Sequence, residues 1–242
     1  MAEVIAVVSG KGGTGKTSLC AGIAQALTTA GKTVLCIDCD VGLRNLDIAL
    51  GISQLGALSF QEALSYGVEK ATKHPAFPGL SFLTAPMNCP IEDINEEEFG
   101  QLLAKAKEQF DYILLDAPAG IDAGFRLVAR YADRAVLVTG ADPASIRDAG
   151  RSGQLLHDMG KENVRLIVNR IDPRTVRAMK LTVDDVMDRA GLPLLGIVPE
   201  DPEVVLAAAF ETPLLLRTKK GAAAGCRRIA QRIQGMKVPV TL

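Results

Sequence analysis

Short apolar segments alternate with longer amphipathic segments along the 242 residues of the chain. The apolar segments are rich in Val, Ile and Leu, and each has the length of a strand buried on both faces of a sheet. Seven such strands are predicted, at residues 4–9, 33–38, 80–84, 112–116, 134–139, 163–169 and 194–198. Apolar residues recur with helical spacing at residues 16–30, 95–109, 122–131, 143–159, 182–190 and 221–234.

This alternation predicts an α/β fold, a doubly wound and mostly parallel sheet of seven or eight strands with helices on both faces. Local chemistry supports the helix ends, because Asp142-Pro143 fits a helix start and Gly31, Gly160 and Gly191 fit helix ends. No linker or repeat divides the chain, so residues 1–242 are predicted to form a single domain. Ligands of such sheets bind beyond the carboxyl ends of the strands, where functional residues are therefore expected.

Composition narrows the classes of function. Hydrophobic residues make up 48% of the chain and aromatic residues only 4%, which indicates a core of small and branched aliphatic side chains. The net charge of −1 provides no general attraction for nucleic acid, so strong nucleic-acid binding is not expected. No apolar run approaches about 20 residues, so no membrane-spanning helix is expected. Five irregularly spaced cysteines and no secretory signal predict a cytoplasmic protein with reduced thiols.

A glycine-rich loop directly follows the first predicted strand. Residues 10–17 read GKGGTGKT, which fits the G-x-x-x-x-G-K-[ST] phosphate loop between a strand and a helix. The glycines allow backbone N–H groups to surround a phosphate, Lys16 would reach the β and γ phosphates, and the Thr17 hydroxyl would bind Mg²⁺. The predicted nucleotide-binding residues of this loop are Gly10, Lys11, Gly12, Gly13, Thr14, Gly15, Lys16, Thr17 and Ser18.

Aspartates follow two further strands. Asp38 and Asp40 share one side of the extended chain, and carboxylates beside phosphates require a cation or ordered water. Asp40 is predicted to orient and deprotonate the attacking water, and Asp38 to support the Mg²⁺ shell. Asp116 ends an apolar strand in the Walker B pattern and would hold Mg²⁺ through a water, while the Gly120 N–H would sense the γ-phosphate. A turn or capping role for one of these aspartates stays open.

A second lysine, Lys11, stands at the entrance of the loop. The string K-G-G-x-G-K-T resembles the deviant Walker A motif of the MinD/ParA superfamily, and residues 40–47, DVGLRNLD, closely resemble switch I of its MinD branch. The resemblance implies an ATPase that forms an ATP-dependent homodimer and regulates placement of the division septum. In such a dimer, Lys11 contacts the nucleotide of the partner subunit. The implied catalytic residues are Lys11, Lys16 and Asp40, and the implied ligands are ATP and Mg²⁺. A solvated surface lysine is the alternative for Lys11.

Two segments in the C-terminal half of the chain resemble the adenine-binding region of MinD-like proteins. The resemblance assigns adenine recognition to Asn169, Arg170, Pro199, Glu200, Asp201 and Pro202. The sequence Asn169-Arg170-Ile171-Asp172 lacks the lysine of the Asn-Lys-x-Asp guanine signature, so ATP is favoured over GTP. A capping role at the strand end is the alternative for Asn169.

The resemblance implies a MinC-like inhibitor and a MinE-like or other activator as partners. MinD-family proteins commonly carry Arg-Asp-x-Asp-Arg on the partner-binding helix, whereas this chain has Gly150 in place of the second acid of residues 147–151. MinD-family proteins also carry a C-terminal amphipathic membrane helix, for which Pro239 and a single lysine after residue 235 provide little basis. The helix at 221–234 is expected to pack on the domain. Membrane contact is therefore predicted to be weak or indirect, at most peripheral at the cytoplasmic face of the cell membrane.

Two other functions remain open at this stage. A ParA-like or flagellar-number regulator shares the loop motif, and retention on DNA at physiological salt would favour it. An iron–sulfur cluster carrier of the same superfamily would need a surface cysteine pair. Cys36 and Cys39 are three residues apart on an extended chain and face opposite sides, so they are predicted to be core thiols.

Overall fold

The computed structural model describes residues 2–87 and 89–241. Eight strands form one sheet in the order β3-β4-β2-β5-β1-β6-β7-β8. Neighbouring strands run parallel, except for the antiparallel pair β3 and β4. The strands are β1 (Glu3–Val8), β2 (Val34–Asp38), β3 (Thr72–Lys73), β4 (Leu80–Leu83), β5 (Tyr112–Asp116), β6 (Arg134–Thr139), β7 (Val164–Ile171) and β8 (Leu194–Pro199).

Helices connect the strands and cover both faces of the sheet. They are α1 (Lys16–Thr29), α2 (Leu46–Leu50), α3 (Phe60–Tyr66), α4 (Glu96–Lys107), α5 (Ala123–Tyr131), α6 (Pro143–Asp158), α7 (Pro173–Ala178), α8 (Val183–Ala190), α9 (Pro202–Ala209), α10 (Leu214–Arg217) and α11 (Gly221–Ile233). Two short 3₁₀ helices lie at Val68–Lys70 and Ile91–Asp93. Over the described ranges, no helix is both long enough and apolar enough to cross a membrane.

The core consists of two apolar layers, one on each face of the sheet. The helices α1, α2, α10 and α11 contribute to one layer, and α3, α4, α5, α6 and α8 contribute to the other. Cys36 lies in the first layer and Cys39 in the second, both buried, so the prediction of core thiols on opposite sides is confirmed. The helix α11 buries its narrow apolar stripe against α1 and β8, as expected.

All seven predicted strands and six predicted helices are present, with ends shifted by a few residues at most. The short elements β3, α2, α3, α7, α9 and α10 were not predicted. The helices α2, α3, α7 and α10 have fewer than two turns, too few to show a period in sequence. Three of the helices that were not predicted nevertheless begin at recognisable caps, namely the Ser59–Glu62 capping box and the Asp-Pro starts at Asp172 and Asp201.

Candidate active site

The glycine-rich loop lies at the carboxyl end of β1, beside a cavity of about 350 Å³. Gly13 and Gly15 have φ angles of 81° and 84°, a region where side chains with a Cβ are strained. A Cβ at Gly15 would also collide with the Asn169 amide. The predicted loop residues that line this cavity are Lys11, Gly12, Gly13, Thr14, Gly15, Lys16, Thr17 and Ser18. The structure therefore gathers them around one space of suitable size for phosphates.

Gly10 has a different environment from the rest of the loop. A Cβ at Gly10 would lie 2.6 Å from both the Asp148 carbonyl oxygen and the Ser152 hydroxyl oxygen of α6. Gly10 is not among the residues that line the cavity. Gly10 therefore packs closely against α6, and the nucleotide contact that the sequence predicted for it stays a prediction.

Lys16 forms a buried ion pair with Asp116. Its Nζ lies 2.7 Å from an Asp116 carboxylate oxygen, and the two side chains are 7% and 2% exposed. Asp38 is the register partner of Asp116 on the adjacent strand. Burial raises the pKa of Asp116, although Lys16 opposes the shift. Burial and the charge on Asp116 raise the pKa of Asp38 to about 7. Burial is therefore the main cause of both shifts.

Asp38 and Asp40 hold the loop that follows β2. The Asp38 carboxylate accepts hydrogen bonds from the N–H groups of Asp40, at 2.9 Å, and Leu46, at 3.0 Å. The Asp40 carboxylate accepts hydrogen bonds from Gly42, at 3.2 Å, and Leu43, at 3.1 Å. Asp40 also lines the phosphate cavity. Both aspartates therefore shape the predicted switch I loop, a role that the sequence analysis left open only as a turn or cap.

Lys11 lines the phosphate cavity and also bonds to the start of α6. Its Nζ lies 3.2 Å from Asp142 Oδ1, and both side chains are partly exposed. Asp142 also accepts a hydrogen bond from the Ser145 N–H at the start of α6. Burial opposes ionisation of Asp142, but the bonds from Ser145 and Lys11 lower its pKa to about 2. Asp142 is thus a charged cap of α6 and an exposed partner of Lys11.

The Gly120 N–H is already used in this conformation. It donates to the Ser9 carbonyl at 3.2 Å, and Gly120 has a φ of 98°. Contact with a γ-phosphate would therefore require this bond to break, and the sensing role of Gly120 stays a prediction.

A second cavity of about 190 Å³ adjoins the loop on the side of β7 and β8. Asn169, Arg170, Pro199, Glu200 and Asp201 all line it, whereas Pro202 is the first residue of α9 and does not. The placement suits a base next to the phosphates.

Asn169 and Asp201 also form hydrogen bonds to other segments of the chain. Asn169 Nδ2 donates to the Thr14 carbonyl at 2.8 Å. The Asp201 carboxylate accepts hydrogen bonds from the N–H groups of Glu203, at 3.0 Å, and Ala222, at 2.8 Å. Asp201 therefore caps α9 and ties it to α11.

The donor set of the phosphate cavity fits a nucleotide with Mg²⁺. The Thr14 hydroxyl oxygen is buried and has no hydrogen-bond partner among residues 2–87 and 89–241. Thr17, Asp38 and Asp116 offer the oxygen ligands that Mg²⁺ prefers. The described part of the chain contains no cluster of three or more His, Cys, Asp or Glu side chains arranged for a metal ion. The oxygen atoms of Thr17, Asp38 and Asp116 suit an ion whose remaining ligands are waters and phosphates.

The cysteines do not provide a surface pair. Cys20, Cys36, Cys39 and Cys226 are buried, and only Cys89 is half-buried. Within the described residues, no two exposed cysteines are available to bridge two subunits, which argues against an iron–sulfur carrier.

Comparisons with known proteins agree with this geometry. Residues 5–214 match the family described as the CobQ/CobB/MinD/ParA nucleotide binding domain. The chain is 38% identical to the septum site-determining protein MinD of Synechocystis sp., over 99% of this chain and 92% of that protein. It superposes on MinD in the MinC:MinD complex of Aquifex aeolicus with a TM-score of 0.90 and 36% identity, over 100% and 99% of the two chains. The Pyrococcus horikoshii MinD complexed with Mg-ADP gives a TM-score of 0.84 at 25% identity, over 96% of each chain. The chain therefore belongs to the CobQ/CobB/MinD/ParA nucleotide-binding family and, within it, to the septum site-determining MinD proteins.

Proposed function

We propose that this chain is a Mg²⁺-dependent ATPase that dimerises when it binds ATP and thereby regulates placement of the division septum. The arrangement of Lys16, Asp116 and Lys11 around one glycine-rich loop carries the proposal. Lys16 and Asp116 provide the cation and the carboxylate that a phosphate-binding site needs, and Lys11 provides a second cation at its mouth. The ParA-like and flagellar-number alternatives are not favoured, because the relatives named above are MinD proteins.

The chain's own residues account for binding and water activation. Thr17, Asp38 and Asp116 would hold Mg²⁺, which when bound neutralises charge on the β and γ phosphate oxygens. When the nucleotide binds, Lys16 would leave Asp116 and bind the phosphates. Asp40 lies at the edge of the phosphate cavity, where its carboxylate would orient the attacking water.

Lys11 is suited to act on a second copy of the chain. Its ion pair with Asp142 is partly exposed, with 37% and 52% of the two side chains accessible, and such pairs contribute about 0–1 kcal/mol. Lys11 can therefore leave Asp142 at little cost. In a dimer whose two triphosphates face each other, a lysine from each side would offset their repulsion and stabilise the charge of the transition state.

The surface of α6 supports a MinC-like inhibitor as a partner. Gly150 lies on the side of α6 that packs on α8, because a Cβ there would be 3.0 Å from the Arg189 carbonyl oxygen. Arg147 and Arg151 remain exposed on this helix. The missing carboxylate therefore belongs to the packed side, and its loss leaves the exposed arginines in place. The match to MinD in a MinC:MinD complex supports the same partner class. The proposal also includes a MinE-like activator. It places the protein in the cytoplasm, with weak peripheral contact at the cell membrane.

Two lysine variants test the function. Lys16→Ala should abolish ATP binding in calorimetry, because it removes the cation beside the phosphates. Lys11→Ala should keep most of the ATP affinity but fail to dimerise in light scattering and fail to hydrolyse ATP. Asp142→Asn is the matched control, since asparagine can still cap α6 while the partner charge of Lys11 is gone, and it should dimerise normally. Equal loss of ATP affinity in both lysine variants would exclude the role of Lys11 across the dimer.

A further inference from the structure

Arg170 lies near the end of β7, between the phosphate loop and the loop that follows β8. It lines the base cavity and also lines a larger neighbouring cavity beside α7. Its φ of 57° is in the left-handed region, and the pairing of β7 with β8 is irregular between Val168 and Ile171. A residue other than glycine is strained in this region, and such strain persists where surrounding contacts fix it.

The Arg170 guanidinium donates to two different loops. Its Nε and Nη2 donate to the two carboxylate oxygens of Glu200, at 2.7 and 3.3 Å. Its Nη1 donates to the Gly13 carbonyl oxygen at 3.0 Å. The planar fork of arginine makes this three-bond arrangement rigid. Arg170 therefore ties the phosphate loop to the loop that follows β8.

Asn169 makes the equivalent bond one peptide further along the phosphate loop, where its Nδ2 donates to the Thr14 carbonyl. In a trans peptide the C=O and the following N–H point in opposite directions. Holding the Gly13 carbonyl outwards therefore turns the Thr14 N–H the other way, and holding the Thr14 carbonyl does the same for the Gly15 N–H. Gly13 and Gly15 flank these peptides, and glycine lets a peptide rotate easily. The bonds from Arg170 and Asn169 therefore hold the Gly13–Thr14 and Thr14–Gly15 peptides in one orientation.

We propose that Arg170 is a positioning residue of the phosphate loop, whose contribution to ATP binding is made through the triphosphate and not through adenine. This inference rests on the proposed ATP binding and changes the role that the sequence predicted for Arg170, which was adenine recognition. The bond to the Gly13 carbonyl connects its guanidinium to the phosphate loop, and the two bonds to Glu200 hold the guanidinium in that position. The chemical group it serves is a chain of phosphates.

The test compares ligands that share only part of ATP. MgATP, Mg-tripolyphosphate and adenosine are titrated into the full chain by calorimetry. Arg170→Gly removes the guanidinium while suiting the left-handed backbone, so the fold should be retained. We expect affinity for ATP and for tripolyphosphate to fall by the same factor, about tenfold, while adenosine binding and the thermal midpoint of the ligand-free protein stay unchanged.

Two further variants sharpen the result. Arg170→Lys keeps the charge but loses the fork to Glu200, so its affinities should fall between those of the wild type and Arg170→Gly. Arg174→Ala removes an exposed arginine of α7 and should bind all three ligands normally. Wild-type affinity in Arg170→Lys would show that charge alone matters and would overturn the positioning role.

The remaining outcomes separate this inference from the proposed function. If Arg170→Gly weakens ATP and adenosine but leaves tripolyphosphate unchanged, Arg170 recognises the base and the inference is wrong. If no ligand is affected, it is equally wrong, although ATP binding by the wild type would preserve the proposed function. If the wild type itself does not bind ATP, the proposed function fails and the inference fails with it.

Discussion

Lys16 Nζ lies 2.7 Å from the Asp116 carboxylate, although the two residues are 100 positions apart in sequence. Both side chains are almost fully buried, and Asp38 is paired in register with Asp116 on the neighbouring strand. Lys16 is therefore the cation that compensates the buried Asp116 carboxylate in this conformation. Removing one partner of a buried ion pair leaves an uncompensated charge, which costs more than the pair itself contributes.

Lys16→Ala should for this reason lower the free energy of unfolding by about 3 kcal/mol, in addition to abolishing ATP binding. The double variant Lys16→Ala/Asp116→Ala should recover most of that stability without recovering ATP binding. Urea denaturation without nucleotide measures the first effect, and calorimetry measures the second. Lys107→Ala, which breaks the partly exposed pair with Asp133, is the control and should change stability by less than about 1 kcal/mol. A double variant as unstable as the single one would show that the charge is not the cause.

Asp40 holds the loop after β2 and is proposed to activate the attacking water, and its variants should distinguish the two roles. Asp40→Asn can still accept the hydrogen bonds from Gly42 and Leu43 but is a much weaker base. Asp40→Ala loses both functions. If Asp40 orients and deprotonates the water, both variants should bind ATP, turn over at least about 100-fold more slowly and persist as ATP dimers in light scattering. Near-normal phosphate release by Asp40→Asn, with a defect only in Asp40→Ala, would assign the effect to the loop instead.

The order of strands and helices could be predicted because each buried strand is an apolar run bounded by polar residues. The same pattern placed Lys16, Asp38 and Asp116 at one edge of the sheet, since the carboxyl ends of parallel strands meet there. It could not give the Lys16–Asp116 bond, which depends on the register between distant strands.

The contacts of Asn169 and Arg170 were missed for a related reason. Both residues lie near the carboxyl end of β7, as expected of ligand-binding positions, but their donors reach carbonyls of the phosphate loop more than 150 positions away. A positive φ at Arg170 and the packing of α6 on Gly10 leave no periodic trace in sequence. Such features arise from tertiary packing and become visible only in three dimensions.

His74 links the loop before β4 to the end of α2, which follows the predicted switch I segment. Its ring is buried. Nε2 lies 2.9 Å from the Leu50 carbonyl oxygen, and Nδ1 accepts a hydrogen bond from the Ala76 N–H at 3.1 Å. Because Nδ1 accepts, the neutral ring must carry its hydrogen on Nε2. Burial lowers the pKa of His74, although the bond to Leu50 opposes the shift. Neutral histidine is therefore the form that stabilises the fold.

His74→Gln should lower the free energy of unfolding by about 1–2 kcal/mol at pH 8. The unfolded pKa of about 6.5 lies above the folded value, so the unfolded state binds more protons below pH 6.5. The stabilisation by His74 is thus present above pH 6.5 and is lost as the pH falls through the folded pKa. The difference between wild type and variant should shrink towards pH 5 in urea titrations. His157→Gln, at an exposed position, is the control and should change stability by less than about 0.5 kcal/mol. A constant difference for His74→Gln would contradict the assignment.

Gly10 provides a test of the packing between the phosphate loop and α6. A Cβ at this position would meet the Asp148 carbonyl and the Ser152 hydroxyl at 2.6 Å, and the carbonyl belongs to helix backbone that cannot move by a side-chain rotation. Gly10→Ala should therefore cost about 1–3 kcal/mol of stability and weaken ATP binding, because the loop must shift away from α6. Gly56→Ala is the matched control, since a Cβ there has no neighbour within 4 Å, and it should stay within about 0.5 kcal/mol of the wild type. Urea denaturation and ATP titration of both variants measure these effects. Unchanged stability with weakened ATP binding in Gly10→Ala would contradict the packing role and support the nucleotide contact that the sequence predicted for Gly10.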